Sequence, residues 1–413
     1  MSKSKKNNSA SPDEKASDVS AKDLQQRPAG PHKQTLSDSL IETSQDLAVR
    51  SFRWYLLFPV LIFALAFVLD KQLFIWRFPD YYLRTASYIS YEHKIQLMDE
   101  MELYLRIPPD QRKKVLVMFG NSRTTSFNNA YIDANHPDWI LYNFSVPGGT
   151  ADYFCYMLEE FQERNLRPDF VFFAVTPQGM NATPSIAMDE VMLNGLSTGF
   201  ILRNFTRYNV SDVSNYAAKE LFWTYQYRPK LKVILERWKN HSEGARELRY
   251  FNAITQYNLL QNRGSVPYGD GNAPEQNPDF LRKTAEGTWR DFLSPFKINP
   301  GQVYFNEHMV ELANELQIPN ALLWVKVGPF LRELKANRRI NDPDAVEAVT
   351  IRDVFVPIMK DIESRHDTRF VDMNYTDGIQ CDRFYDSSHM AAYCFPEFTD
   401  FLFAHIRSRA DDL

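Results

Sequence analysis

The chain has 413 residues, 44% of them hydrophobic and 14% aromatic, which is enough for a sizeable core plus an insertion and excludes a chain disordered throughout. Lys plus Arg number 47 against 52 Asp plus Glu, and this net charge of −5, with no basic run interleaved with aromatics, excludes a nucleic-acid face. Cys155, Cys381 and Cys394 show no C-x-x-C spacing and no nearby His series, so neither a disulfide framework nor a zinc site is indicated. Three inert thiols are expected, with a Cys381–Cys394 bridge as the alternative.

Residues 1–50 are rich in Ser, Lys, Asp, Asn and Gln and nearly free of aromatics, a composition that cannot bury enough apolar surface to offset chain entropy; they read as a disordered tail. The sixteen residues from Trp54 to Leu69 then carry no charge, and Leu73–Trp76 extends the apolar character past Asp70 and Lys71. A span needs roughly 20 residues, and Trp54, Tyr55 and Trp76 suit the two interfaces. Residues 51–76 are therefore expected to form one transmembrane helix, because so apolar a run has no polar face to turn toward water. A buried core helix and a cleaved signal peptide are the competing readings. Arg50 and Arg53 before the span lean toward a cytoplasmic N-terminus, although Lys71 and Arg77 follow it.

Residues 77–110 read as a charged helical connector. Beyond it, five short apolar runs, Lys114–Phe119, Trp139–Asn143, Asp169–Val175, Ala321–Val327 and Arg369–Met373, are separated by helical patterns at Ala151–Arg164, Val303–Leu316, Val346–Arg365 and Met390–Arg407. Strands of this length and apolarity alternating with helices predict a parallel sheet covered on both faces, that is, a doubly wound, flavodoxin-like α/β domain over 111–413. The stretch 184–300 breaks the rhythm and reads as a helical insertion between the third and fourth strands.

In an open parallel sheet, ligands bind beyond the carboxyl ends of the strands. After the first run stands Gly120-Asn121-Ser122-Arg123; after the second, Asn143 through Gly148-Gly149; after the fifth, Asp386-Ser387-Ser388-His389. A serine nucleophile needs a base and a group that orients the base, and Ser122, His389 and Asp386 supply these three parts. Singly, each has a bland reading: Ser122 as a turn residue, and Asp-x-x-His as a helix cap with a solvated imidazole. Their joint placement at the ends of the first and last strands favours chemistry. Arg123 reads either as the holder of an anionic group or as a surface ion-pair residue.

These turns resemble the SGNH (GDSL-like) hydrolases, which combine a Gly-Asp-Ser nucleophile turn, an Asn/Gly turn after the second strand, a Gly-x-Asn-Asp turn after the third and a C-terminal Asp-x-x-His. Gly120-Asn121-Ser122 matches the first with Asn for Asp; Asn143 with Gly148 or Gly149 resembles the second; Asp386 and His389 match the fourth. The resemblance covers 114–176 and 320–407 and implies a three-layer α/β fold and an oxyanion hole built from the N–H groups of Ser122 and of Gly148 or Gly149. The third motif departs: Thr176-Pro177-Gln178-Gly179 stands in its place, so Gln178 takes the Asn position, and Asn181 is a second candidate. Losing one such donor typically costs about 3–4 kcal/mol of transition-state stabilisation. The apolar segment together with Ser-Arg is similar to the membrane-anchored members that accompany membrane-bound O-acyltransferases in modifying cell-envelope polymers.

The expectation is a membrane-tethered serine esterase or O-acyltransferase acting, with no metal or cofactor, on an acylated envelope glycan or polyol. Arg123 and Asn143 would contact substrate, and a membrane-bound O-acyltransferase is the expected partner. The catalytic domain is expected outside the cytoplasm. The alternative is a catalytically silent binding protein on the same framework. A Ser122 Oγ to His389 Nε2 separation above about 5 Å would favour it.

Overall fold

A computed structural model of the protein describes residue 55 and residues 57–77, 86–183, 186, 188–227, 243–266, 274–340, 349–375 and 379–411. The expected tail, 1–50, lies outside these, as does the first part of the expected span. The chain divides into two units, 1–65 and 66–413.

A helix runs from Leu57 to Arg77, and its apolar side chains from Leu57 to Leu65 that are large and exposed leave 49–62% of their area uncovered. Among the described residues no helix is long and apolar enough to cross a membrane. The described part of the expected connector contains the α-helix Ala86–Leu105.

Five strands form one all-parallel sheet: β1 (Lys114–Phe119), β2 (Trp139–Asn143), β3 (Phe170–Ala174), β4 (Asn320–Trp324) and β5 (Phe370–Asp372), in the order β2-β1-β3-β4-β5. The register pairs Met118 with Asn143 and with Phe172, and Leu322 with Phe370. This is the doubly wound order, with its direction of winding reversing between β1 and β3. Successive β1 side chains go to opposite faces: Val115, Val117 and Phe119 join one apolar cluster and Leu116 and Met118 another. The helices Ala86–Leu105, Ala151–Glu163, Pro300–Glu315 and Ile351–Arg365 cover the first face; Asn129–Asn135 and Phe395–Asp411 cover the second. Phe119 stacks on Phe173 at 5.7 Å between ring centroids and is wholly buried, so the end of β1 is fixed by packing.

Between β3 and β4 the described insertion is helical, with helices Met188–Gly195, Thr198–Arg203, Val210–Leu221, Trp223–Tyr227, Glu243–Gln261 and Pro278–Phe292. A further helix, Pro329–Asn337, not anticipated from the sequence, follows β4.

The last helix corrects the expectation: it begins at Phe395, not near Met390. Met390 instead pairs with Phe384 in an antiparallel bridge, and the Ala391 N–H donates to the Arg383 carbonyl at 2.8 Å, so residues 383–391 form a tight loop. The cysteines are corrected too. Cys381 and Cys394 form a disulfide across the base of this loop, their Cα atoms 5.6 Å apart, while Cys155 is buried as a free thiol. The pair is 13 positions apart in sequence, and the doubling-back of the loop brings them together.

Candidate active site

The nucleophile turn is organised by its own residues. Asn121 caps the short 3-10 turn Ser122–Thr124, its Oδ1 accepting the Arg123 N–H at 3.0 Å. Thr124 Oγ1 donates to the Asn121 carbonyl at 3.1 Å and bonds Ser145 Oγ at 2.8 Å, which ties this turn to the loop after β2. That loop is zipped along β1: the Phe144 N–H donates to Met118 O and the Val146 N–H to Gly120 O. The approach is so close that a Cβ at position 149 would stand 2.4 Å from the Gly120 oxygen, which requires glycine there. Gly148 has φ of +71°, a backbone conformation that side chains resist.

His389 Nε2 lies 2.8 Å from Ser122 Oγ, and His389 Nδ1 lies 2.8 Å from Asp386 Oδ2. With Nδ1–H donating to the carboxylate, Nε2 is left as the acceptor for the serine hydroxyl. Asp386 Oδ1 accepts the N–H groups of Ser388 at 2.6 Å and His389 at 2.8 Å. Burial pushes this carboxyl up, but the bond from His389, its charge and the two N–H groups outweigh it, and the pKa falls below the ordinary value, so Asp386 is a carboxylate. The Tyr385 ring stacks on His389 at 5.2 Å and 9°.

The base loop is held from outside. The Gly328 N–H, just after β4, donates to Ser387 O at 2.9 Å; Ser387 N–H donates to Thr284 Oγ1 at 3.1 Å; and Thr288 Oγ1 bonds Ser387 Oγ at 3.1 Å. Thr284 and Thr288 stand one turn apart on the insertion helix Pro278–Phe292, so the insertion positions the base.

These groups line a cleft of about 360 Å³ walled by Asn121, Ser122, Arg123, Gly148, Thr176, Gln178, Ile186, Thr288, Phe292, Asp386, Ser388 and His389. The predicted residues divide accordingly. Ser122, Arg123, Gly148, Gln178, Asp386 and His389 all face one cavity. Gly149 does not: its N–H donates to Val146 O at 3.1 Å, whereas the N–H groups of Ser122 and Gly148 make no hydrogen bond to a described residue. Asn143 is also corrected. It is wholly buried, donates from Nδ2 to Thr124 O at 2.8 Å and Ser265 Oγ at 3.1 Å, and accepts the Ser145 N–H, so it braces the nucleophile turn and does not line the cleft.

Gln178 stands in the turn Pro177–Met180 after β3, buried, with both amide atoms unpartnered among the described residues. The other candidate, Asn181, is fully engaged, donating to Phe292 O and Pro295 O and accepting from Lys297 and Thr183. Sequence reasoning missed Thr288, Phe292 and Ile186. Their only local signal is the hydroxyl pair Thr284 and Thr288 on one face of an amphipathic helix, which is common on surfaces.

Away from the cleft, Glu307, Glu311 and His366 place ligand atoms within 4.8 Å of one another. Glu307 is already paired with Arg365 and His366, and Glu311 with His308, so these carboxylates are satisfied by protein cations and hydrogen-bond donors.

A family model described as a protein of unknown function, DUF1574, matches residues 51–406, and the chain belongs to that family. No curated protein matches the chain.

Proposed function

We propose that this DUF1574 protein is a membrane-anchored serine esterase or O-acyltransferase of SGNH type, acting on an acylated cell-envelope glycan or polyol. The single observation that carries the reading is the continuous chain Ser122 Oγ, His389 and Asp386, with both links at 2.8 Å in a cleft at the carboxyl end of the sheet. The same 2.8 Å weighs against a silent scaffold, for which a gap beyond about 5 Å was the expected sign.

Ser122 Oγ attacks the acyl carbonyl carbon while its proton passes to His389 Nε2. The carbonyl oxygen gathers negative charge, which the N–H groups of Ser122 and Gly148 and the Gln178 amide stabilise. As the tetrahedral adduct collapses, the C–O bond to the alcohol breaks and His389 returns the proton to that alcohol, leaving an acyl-Ser122 ester. Water or an acceptor hydroxyl then gives its proton to His389 and attacks this ester; the acid or new ester leaves, and the proton goes back to Ser122 Oγ. Water makes the enzyme an esterase, a sugar or polyol hydroxyl an acyltransferase.

Anchorage is supported by the charge-free run Trp54–Leu69 and by the exposure of the described part of it, and an extracytoplasmic domain by the Cys381–Cys394 disulfide, since such bonds persist in oxidising compartments. A membrane-bound O-acyltransferase is the partner proposed to supply or receive the acyl group. Full-length protein in native membranes is expected to label with a fluorophosphonate at Ser122, and Ser122→Ala to abolish both labelling and ester turnover, by at least about 10³-fold. Undiminished turnover in Ser122→Ala would end this reading. In vesicles of known orientation, labelling from the extracytoplasmic side alone is expected.

A further inference from the structure

Arg123 follows the nucleophile and lines the same cleft, yet it is 93% buried by its 7% exposure and its Nη1 has no hydrogen-bond partner among the described residues. A guanidinium carries five N–H donors and cannot shed its charge at ordinary pH, so burying it unpaired is costly. Burial pulls its pKa down to about 10, opposed by the charge of Asp386. Asp386 is not a hydrogen-bond partner: its two oxygens receive His389, Ser388 and the His389 N–H. In the same cleft the Gln178 amide is buried without a partner. A buried guanidinium donor left without an acceptor in the wall of a cleft is satisfied when the ligand brings a negatively charged acceptor to it.

We propose that the natural substrate is anionic, carrying a carboxylate close to the scissile ester that enters the cleft and is received by the Arg123 guanidinium. The planar fork of arginine matches a carboxylate in two parallel hydrogen bonds, which a lysine at this position would not reproduce. The cleft volume of about 360 Å³ accommodates a small acyl group and a carboxylate-bearing ring together. This inference rests on the esterase reading for its test by turnover but not for its test by binding.

The experiment compares 4-acetoxybenzoate with its neutral methyl ester on the full-length protein. The ratio of their kcat/KM values in wild type is divided by that in Arg123→Gln, so that intrinsic ester reactivity cancels. The anionic preference is expected to fall at least about tenfold in Arg123→Gln and to be partly restored in Arg123→Lys, which also controls for folding. A preference unchanged in both variants, with the two esters slowed together, would overturn the proposal and leave Arg123 as a support for Asp386. A separate binding readout uses Ser122→Ala, in which benzoate but not benzamide is expected to raise the melting temperature, and the double variant with Arg123→Gln to lose the effect. If no ester is turned over and Ser122 does not label, the esterase reading fails, while benzoate stabilisation that depends on Arg123 would still uphold the anion site. Absence of that stabilisation would overturn it.

Discussion

The two halves of the catalytic chain are built in opposite ways. The nucleophile turn is local: Asn121 caps it, Thr124 closes it, and the backbone of the β2 loop lies against it. The base loop has little of its own beyond one bridge and the carboxylate cap of Asp386. It is held by a disulfide, by Gly328 in the loop after β4 and by two threonines from an insertion about a hundred residues earlier, Thr284 and Thr288 at separations of 103 and 99. A nucleophile at a strand end thus needs only a strand and a tight turn, whereas its base, arriving from an edge strand three positions away, must be carried to it by tertiary contacts.

The contrast is broken most severely at the point where the halves meet. Asp386→Asn keeps the shape but offers Nδ1 an N–H, which favours the wrong imidazole tautomer, and kcat is expected to fall by about 10⁴-fold with Ser122 still in place. A steady-state assay checks it; a loss under tenfold would detach Asp386 from the base. Next comes the proposed third oxyanion donor. Gln178→Ala is expected to lower kcat by about 10² to 10³ with KM little changed, and an effect on KM alone would make Gln178 a substrate-binding group instead.

Breaking the clasp tests the base half alone. Cys381→Ser with Cys394→Ser, or reduction of the wild type, is expected to lower kcat by about 10- to 100-fold, since a displacement near 1 Å costs that much, while circular dichroism stays native. Unchanged kcat would mean that Gly328, Thr284 and Thr288 hold the loop unaided. The smallest effect belongs to the nucleophile half. Wholly buried Lys94 donates to Asn143 O at 2.6 Å and Gly264 O at 2.7 Å, and burial lowers its pKa from 10.5 to about 7. Between those values the unfolded chain binds more protons than the folded one, so this group's contribution makes stability rise with pH across that window and fall as pH drops through about 7. The urea midpoint difference between about pH 7 and about pH 9 is expected to shrink in Lys94→Met. Equal differences in the two proteins would remove Lys94 as its source.

Much of this was legible in the chain. The first two strands, Lys114–Phe119 and Trp139–Asn143, are read from the sequence with their observed limits, because continuous apolar runs bounded by Gly or Pro signals leave few other conformations. The triad followed from where such strands end. Less legible were Gly149 and Asn143: both occur at the motif positions, yet one has its N–H spent on Val146 and the other its side chain on Thr124, Ser145 and Ser265. Motif spacing says which residues reach a site but not which way each donor points.

By itself, then, the sequence determined the parallel α/β framework, the apolar segment that precedes it, and the strand-end positions of Ser122, Asp386 and His389, the proposed nucleophile, orienter and base, because burial and periodicity act over a few residues. Only the tertiary structure decided the rest. The Cys381–Cys394 pairing, the threonine clasp on Ser387, the placing of Gln178 and not Asn181 in the cleft wall, and the burial of an Arg123 whose Nη1 meets no partner among the described residues each depend on segments far apart in the chain meeting in space. No local pattern encodes such meetings, because the free energy that makes them comes from packing the whole domain.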